Sequence, residues 1–422
     1  MVGDTDEEAA VTEYRHVARA RPPGGWTDGA ALAAVADTLG LTVGTEILDG
    51  GSPARVHRAT GSAGEELVVK VLVPAPGAVD GHDLVSFRRK LHQIELLRTV
   101  APRLAAHYLP VGHVLDGDGW AACTTPYYPS ADLAAPLRES PQGVREFFRR
   151  YPALLRALVL DGYAARSHPA PVGHLADVVV GRFLRRLPVL RGALPADLMG
   201  ADRLTVNGVP CEAPHLVLER LADRLAPLAP TRLMAPAHGD ANTRNVLLST
   251  RPGAAAEDFR LIDPRGSVEP WDPVYDLAKT LFSLSVWDPA LRTGFTVRSG
   301  PGQSYRVGFR QPVFPGYRAA VHAFLPRLAA HEGLAGLFRD DPGWCERLLL
   351  THDLHVLAEA PCRLSDRKPK PDQSGGNSTP AQLALGHYLL GTLLINDLAA
   401  RLARPGGVDP TGHLALVTDH LA

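Results

Sequence analysis

The sequence of 422 residues contains only four cysteines, and they lie far apart. Cys123, Cys211, Cys345 and Cys362 form no Cys-x-x-Cys pair, and no histidine stands at metal-ligand spacing from them. Such an arrangement does not fit a disulfide framework or a zinc site. The cysteines are interpreted as ordinary reduced thiols.

Lysine is nearly absent as well, since it occurs only at positions 70, 90, 279, 368 and 370 among abundant arginine. Acidic and basic residues still balance, at 45 and 44, and the formal net charge is -1. A balanced chain has no overall field that would attract nucleic acid or an anionic membrane, so neither is expected as a partner.

The sequence also lacks a targeting segment and a long hydrophobic run. Four of the residues from 4 to 8 are acidic, where a signal peptide would be basic and then apolar. The longest apolar stretch, Leu383–Ile395, is shorter than the roughly 20 residues that a membrane span needs. We expect this stretch to be a buried core helix, and the protein to be soluble and cytoplasmic.

The first 126 residues divide into an arm and a compact unit. Residues 1–26 are polar and rich in Pro and Gly, and we interpret them as an N-terminal arm with a short helix over 8–19. Residues 27–126 follow with the order helix, then β-β-β-α-β-β. The predicted helices cover 28–39 and 84–100, and the predicted strands cover 41–48, 55–60, 67–73, 111–115 and 120–124.

Residues 127–422 form the rest of the chain, which is too long for one small core and suits a second lobe. A hinge is expected at 126–130, and the pattern beyond it is mainly helical. Residues 292–316 are interpreted as an irregular or hairpin insertion. The stretch 366–380 has the Pro, Gly and Ser composition of a linker.

The most informative segment is His238-Gly239-Asp240-Ala241-Asn242-Thr243-Arg244-Asn245, which precedes an apolar run. A second carboxylate, Asp263, closes another short apolar run. Phosphoryl transfer uses a carboxylate that orients a hydroxyl nucleophile, then an amide oxygen and a second carboxylate that hold Mg²⁺ on the nucleotide phosphates. The order of residues predicts these roles for Asp240, Asn245 and Asp263. For Asn242, stabilisation of the loop is the alternative to a role in the site.

Protein kinases share the Asp-x4-Asn spacing. Here, however, Gly239 precedes the first Asp, Pro264 follows the second, and no Ala-Pro-Glu segment comes after it. This variant resembles the aminoglycoside phosphotransferase and choline kinase-like family of small-molecule kinases. The resemblance implies a bilobal, protein-kinase-like α+β fold, with a small antiparallel β-sheet lobe containing one helix and a mainly helical large lobe. It also implies Mg²⁺ as cofactor and ATP or GTP as phosphate donor.

The donor side of the site is predicted in the first lobe. Lys70 lies in an apolar strand, where an ammonium is costly unless it faces a cleft or a partner. By the kinase pattern it would contact the nucleotide phosphates and pair with a glutamate of the following helix, for which Glu95 is the best candidate. Gly50, Gly51 and Ser52 stand where a phosphate-covering loop belongs.

Three further residues have supporting roles in the resemblance. His238 and Asp276 are expected to buttress the catalytic loop. Arg265 departs from antibiotic kinases and, with Ile262-Asp263-Pro264 and Tyr275-Asp276-Leu277-Ala278-Lys279, looks more like family members of polysaccharide and secondary-metabolite pathways. It could contact an anionic substrate or the transferring phosphate, or pair with a carboxylate.

The residues together predict a kinase that phosphorylates a hydroxyl of a small polar metabolite, such as an antibiotic or other natural product of aminoglycoside, sugar or nucleoside type. We expect a neutral or cationic acceptor and a monomer or homodimer. One alternative is a sugar kinase of cell-envelope or polysaccharide metabolism. The other is a nucleotide-binding pseudokinase, against which stands the competent residue at every catalytic position.

Overall fold

The computed structural model describes most of the chain in eleven stretches. The described residues are 12–19, 22, 24–47, 53–76, 78–79, 81–162, 166–235, 237–267, 269–365, 378–404 and 408–419. The predicted phosphate-covering residues Gly50, Gly51 and Ser52 lie outside them, as do residues 366–377 of the predicted linker.

The first lobe is a six-stranded sheet with three helices. The strands are β1 (Glu13–His16), β2 (Thr42–Glu46), β3 (Arg55–Thr60), β4 (Glu66–Leu72), β5 (His113–Gly117) and β6 (Trp120–Pro126), and the helices are α1 (Asp28–Leu39), α2 (Leu84–Val100) and α3 (Pro102–Ala105). The spatial order is β1-β5-β6-β4-β3-β2, and all pairs are antiparallel except β1 with β5. The β-β-β-α-β-β order predicted for this lobe is confirmed.

The helix predicted over residues 8–19 is wrong where the structure describes it. Residues Glu13–His16 form β1, which runs parallel to β5, and the backbone N–H groups of Glu13 and Val17 donate to Gly112 O and Asp116 O at 2.8 and 2.9 Å. A short isolated helix is marginal, because nucleation is costly. The edge of β5 instead provides hydrogen-bond partners for the backbone of these residues, without the cost of nucleating a helix.

The second lobe is mainly helical. Its helices are α4 (Ala135–Glu139), α5 (Gly143–Leu155), α6 (Gly181–Arg191), α7 (Ala196–Met199), α8 (Pro214–Arg220), α9 (Ala222–Leu225), α10 (Val274–Phe282), α11 (Asp288–Thr293), α12 (Pro315–Ala329), α13 (Glu332–Leu337), α14 (Trp344–Ser365), α15 (Pro380–Leu402) and α16 (Pro410–Thr418). Helical turns of other types lie at Arg156–Gly162, Leu175–Val180, Ala226–Leu228, Thr243–Asn245 and Ser283–Trp287. The predicted α+β, two-lobed fold is confirmed.

Nine short strands accompany these helices among the described residues. They are β7 (Ser130–Asp132), β8 (Arg166–Pro169), β9 (Arg203–Val206), β10 (Val209–Glu212), β11 (Arg232–Ala235), β12 (Val246–Ser249), β13 (Phe259–Leu261), β14 (Phe295–Gly300) and β15 (Ser304–Phe309). The hairpin alternative predicted for 292–316 is confirmed by β14 and β15. The hairpin of β9 and β10 was not predicted, although its turn, Asn207-Gly208, has the positive φ angles of 53° and 83° that favour this dipeptide.

Helices α14 and α15 pack along each other at the centre of the large lobe. In the described part of the chain, Pro380–Leu402 is the one helix long and apolar enough to cross a membrane, but 78% of its most apolar window is buried inside the protein. Its N-terminus is a capping box, in which Thr379 and Gln382 exchange hydrogen bonds. The predicted core helix over Leu383–Ile395 is confirmed.

A buried ionic contact docks α16 onto this pair of helices. His413 Nδ1 lies 2.8 Å from Asp397 Oδ2, and His413 Nε2 lies 3.2 Å from Asp353 Oδ1. Burial alone would lower the pKa of His413, but the two carboxylates outweigh it and raise this pKa to about 9. His352, which also contacts Asp353 at 2.9 Å, belongs to the same cluster.

The raised pKa of His413 predicts a pH-dependent stability. The stabilisation by protonated His413 is complete below its unfolded pKa of about 6.5 and is lost as the pH rises through the folded value of about 9. Melting temperatures between pH 6.5 and 9.5 should therefore fall more steeply for the wild type than for His413→Gln. The exposed His92 supplies a matched control, because His92→Gln should keep the wild-type slope. Equal slopes in all three proteins would contradict the docking role.

Candidate active site

The segment from His238 to Asn245 connects β11 to β12 and lies at the cleft between the lobes. The carboxylate of Asp276, in the first turn of α10, is 1% exposed and holds this segment. Its Oδ2 accepts the backbone N–H groups of His238 and Gly239 at 3.1 and 3.0 Å, and its Oδ1 accepts that of Ala241 at 3.2 Å. One buried carboxylate thus fixes the backbone on both sides of Asp240.

Gly239 occupies a position that other residues would strain. Its φ of 75° is in the left-handed region, and a Cβ added there would lie 2.6 Å from the Cβ of Arg265. Arg265 N in turn donates to His238 O at 2.8 Å. The glycine before Asp240 lets the loops around Asp240 and Asp263 touch.

His238 joins the same two loops. Its Nδ1 accepts the N–H of Asp240 at 3.2 Å, which leaves Nε2 as the donor to Ile262 O at 3.1 Å. The ring stacks on Tyr108 with centroids 5.7 Å apart. Burial lowers the pKa of His238 and favours the neutral imidazole. Both nitrogens are committed to the backbone, so the geometry fits a supporting residue.

Asp240 lies at the floor of the cleft with a cation beside it. Its Oδ1 is 3.1 Å from Lys279 Nζ, and its Oδ2 accepts from Asn245 Nδ2 at 3.3 Å. Burial alone would raise the pKa of Asp240, but Lys279 and Lys90 outweigh it and hold this pKa below the ordinary value. The carboxylate is therefore ionised. Lys279 was not among the predicted site residues, although it is one of few lysines and follows Asp276 by one helical turn.

Asn245 and Asp263 come together next to Asp240. All side-chain hydrogen bonds of Asn245 leave from Nδ2, which reaches Asp240 O at 2.9 Å and Asp263 O at 3.4 Å, so among the described residues its Oδ1 has no bonded partner. Asp263 has a φ of 57°, and its carboxylate lies at the cleft. One amide oxygen and one carboxylate, completed by phosphate and water, suit Mg²⁺. Asn242 accepts the N–H groups of Arg244 and Asn245 and so caps the turn.

The predicted ion pair between Lys70 and Glu95 is wrong. Lys70 Nζ contacts Asp263 Oδ2, and Lys90 Nζ of α2 lies 3.4 Å from Asp263 Oδ1. Glu95 instead accepts from Arg98 at 3.2 Å and from Thr12 at 3.3 Å, with 47% of its side chain exposed. The face of α2 that meets the cleft carries Lys90, and Glu95 lies on another face.

The contact of α2 with the large lobe is made by Gln93, a residue that sequence analysis did not single out. Its side chain is fully buried, and Nε2 donates to Ala237 O while Oε1 accepts the N–H of Gly266 at 2.7 Å. A Cβ on Gly266 would lie 3.0 Å from the backbone N of Lys90. The helix of the small lobe therefore touches both loops of the site.

These residues line an interlobe cavity of about 780 Å³. The same cavity is lined by the apolar side chains of Val56 and Val68 from the small lobe and of Leu247 and Ile262 from the large lobe. Tyr127, in the segment that connects the lobes, also lines it, and the Tyr127 backbone N–H donates to Glu66 O at 3.0 Å. The lining thus combines apolar and charged side chains, as ligand sites commonly do.

No protein-family model and no curated protein matches this chain. Solved structures do match. A glucosamine kinase in complex with glucosamine, ADP and inorganic phosphate is 16% identical, with 89% of this chain and 88% of that chain covered and a TM-score of 0.47. An aminoglycoside-3'-phosphotransferase of type VIII is 21% identical, with 78% and 98% covered and a TM-score of 0.44. An amicoumacin kinase in complex with AMP-PNP, Ca²⁺ and Ami is 11% identical, with 88% and 94% covered and a TM-score of 0.43.

The three hydrogen bonds accepted by Asp276 predict that even the conservative substitution Asp276→Asn lowers the stability of the protein. In Asp276→Asn the amide can accept through only one atom, so at least one buried N–H of the loop loses its partner. Hydrogen bonds to charged groups and the burial of an orphaned group are each worth about 1–3 kcal/mol. We expect chemical denaturation to show a loss of that size in the free energy of unfolding. Asp118→Asn, in the exposed turn between β5 and β6, should be neutral. Equal stability of both variants would contradict the anchor.

Proposed function

We propose that this chain is an ATP- or GTP-dependent O-phosphotransferase acting on a hydroxyl of a small polar metabolite, most simply an antibiotic or other natural product. The observation that supports this is the convergence of Lys70, Asp240, Asn245 and Asp263 in the lining of the cavity. These residues come from both lobes and from positions up to 193 residues apart.

In this proposal Asp240 positions the acceptor. Its ionised carboxylate accepts a hydrogen bond from the acceptor hydroxyl and aligns the oxygen with the γ-phosphorus. The bond from this phosphorus to the oxygen of the leaving nucleoside diphosphate breaks as the bond to the acceptor oxygen forms. Asp240 takes the hydroxyl proton late in the transfer. Lys279, 3.1 Å away, keeps the carboxylate ionised beforehand.

Asn245 Oδ1 and the Asp263 carboxylate would hold Mg²⁺, which supplies positive charge to the nucleotide phosphates when bound. Lys70 and Lys90 already neutralise Asp263, and both line the cavity. Their ammonium groups are placed to contact phosphate oxygens once a nucleotide enters. The donor side thus has two lysines, where the family pattern expects one lysine and a glutamate.

A sugar kinase of polysaccharide metabolism is the second candidate. The string from Ile262 to Gly266, with the Tyr275–Lys279 segment, resembles family members of polysaccharide pathways as well as those of secondary-metabolite pathways. We also propose a cytoplasmic location. The competent residue at each catalytic position argues against a pseudokinase.

Asp240→Asn should retain nucleotide binding and lose turnover. The amide keeps the shape of the side chain but cannot take the proton, and positioned general bases contribute about 10²–10⁴-fold. Steady-state kinetics with a competent acceptor would measure the loss, and calorimetry with Mg²⁺ and AMP-PNP would show unchanged affinity. Asp118→Asn is the control. Turnover at the wild-type rate in Asp240→Asn would refute the catalytic assignment.

Lys70 and Glu95 should behave differently when each is neutralised. Lys70→Met removes a charged contact to the phosphates, so the nucleotide KM should rise and kcat should fall, together by about 10- to 100-fold in kcat/KM. Glu95→Gln alters only contacts to Arg98 and Thr12 and should leave both constants near wild type. A loss in Glu95→Gln as large as that in Lys70→Met would mean that the two residues pair during the reaction.

A further inference from the structure

The interlobe cavity is strongly basic, although the chain as a whole is neutral. Among the described residues that line it, eleven are Lys or Arg and five are Asp or Glu. A nucleotide bound with Mg²⁺ would meet the lysines of the small lobe, Lys70 and Lys90. Further cations lie on the large-lobe side, where Arg182, Arg265 and Lys279 surround the approach to Asp240.

Arg182 of α6 has surroundings unlike those of Arg347 and Arg292. Arg347 contacts Asp272 and Asp341, and Arg292 contacts Asp288. By contrast, no ion pair in the described part of the chain includes Arg182. Its partners are neutral: Nη1 lies 3.0 Å from the hydroxyl of Tyr275 and 3.2 Å from Nδ1 of a histidine in α14, His355, which burial keeps uncharged by lowering its pKa.

Both contacts of Arg182 use Nη1, which leaves the other edge of the guanidinium without an acceptor. Its Nε is buried and has no partner among the described residues. The Nε–Nη2 edge is the fork that binds carboxylate or phosphate with two parallel hydrogen bonds. The carboxylates of Glu359 and Asp240 act on Arg182 through their charge, but neither accepts a hydrogen bond from it in the described part of the chain. A ligand that brings a negative group would supply the missing acceptor.

Two more polar groups in the cavity wall lack partners. Ser267 Oγ and Trp271 Nε1 are buried and have no hydrogen-bond partner in the described part of the chain. Both are donors, as is Arg182 Nε. Trp271 lies beside the Arg265 guanidinium, whose carbon is 5.8 Å from its ring centre. A wall of unsatisfied donors fits a ligand rich in acceptor oxygens.

Tyr275 connects Arg182 to Arg265, near Asp240. Its hydroxyl accepts from Arg182 at 3.0 Å and from Arg265 at 3.1 Å, so the two guanidinium groups lie side by side. Arg265 follows Asp263 by two residues. The negative charge of Asp240 interacts with Arg182 and contributes to the raised pKa of this arginine. An anion bound here would lie next to the carboxylate that orients the acceptor hydroxyl.

We infer that the acceptor carries an anionic group, a carboxylate or a phosphate, in addition to the hydroxyl that is phosphorylated, and that Arg182 binds this group with Arg265 beside it. The inference rests on the proposed kinase function and names its substrate class. It replaces the neutral or cationic acceptor expected from the family resemblance. A cationic acceptor would be repelled by the same wall.

A binding experiment separates this site from the site of the transferring phosphate. The full chain is saturated with Mg²⁺ and AMP-PNP, which occupies the γ-phosphate position, and inorganic phosphate or glucuronate is titrated in a calorimeter. We expect at least one of these two anions to bind to the protein that is saturated with Mg²⁺ and AMP-PNP. Binding that occurs with Mg²⁺ and ADP but disappears with AMP-PNP would assign Arg182 to the transferring phosphate, and an absence of binding would likewise overturn the inference.

Substitutions in α6 then test whether Arg182 binds the anion. Arg182→Met should weaken the anion at least about 10-fold, Arg182→Lys should be intermediate because it keeps the charge without the fork, and AMP-PNP affinity should be unchanged in both. Arg185→Met is the matched control, since Arg185 is exposed on the same helix and bonds to Asp177 O. If Arg182→Met does not fold, Arg182→Lys and Arg265→Met decide. Anion affinity equal to wild type in the folded variants would overturn the inference.

A turnover experiment compares acceptors that share one skeleton. Glucose, glucosamine, glucuronate and glucose 6-phosphate are supplied with Mg²⁺ and ATP or GTP, and formation of the nucleoside diphosphate is measured. We expect kcat/KM for an anionic sugar to exceed that for glucose and glucosamine by at least about 10-fold, with the difference lost in Arg182→Met. Glucuronate against glucose 6-phosphate distinguishes carboxylate from phosphate.

The outcomes that would reject the anionic acceptor differ from those that would reject the kinase function. Preference for glucose or glucosamine would overturn the anionic acceptor and leave the kinase intact. If no sugar is turned over, the calorimetric result decides the inference. Failure to bind any nucleotide would reject the kinase itself, whichever anions bind.

Discussion

The candidate active site depends on one face of helix α10 and the helical turn that follows it. Asp276 accepts three backbone N–H groups of the His238–Asn245 segment, and Lys279 contacts the carboxylate of Asp240. On the next turns, Thr280 Oγ1 donates to Ala241 O at 2.8 Å, and Ser283 Oγ accepts the N–H of Thr243 at 3.0 Å. The spacing i, i+3, i+4 and i+7 places all four side chains on one side of a helix. A rigid, buried element thus holds a loop that has little regular structure of its own.

The proximity of Asp240 and Asn245 could be predicted from sequence because the segment between them is short. Asp240 and Asn245 are five residues apart, so any tight turn keeps their side chains within a few ångströms of each other. The role of Asp276 came from a resemblance, but the sequence also holds a physical signal for it. Polar residues at 276, 279, 280 and 283 interrupt an otherwise apolar helix at helical spacing, and buried polar side chains need partners.

The pairing of Lys70 could not be obtained by the same means. Glu95 is the acidic residue of α2, and the buried residues Phe87, Leu91 and Ile94 mark the inner face of that helix. At about 100° per residue, Lys90 and Glu95 lie about 70° to either side of this inner face, so helical phase alone does not choose between them. That Lys70 would contact Asp263, 193 residues away, follows from lobe closure, which local sequence does not contain.

The positive charge of the cavity also could not be predicted from the sequence. A net charge of -1 is a sum over the whole chain, and it hides a cavity whose lining carries more positive than negative residues. Arginine is abundant throughout this sequence, so composition cannot tell which guanidinium groups are buried. The fold selects them: α6 and the segment after Asp263 bring Arg182 and Arg265 to the hydroxyl of Tyr275. The lysines Lys279, Lys70 and Lys90 favour ionised carboxylates at Asp240 and Asp263, and Arg182 and Arg265 add further positive charge to the lining of the same cavity.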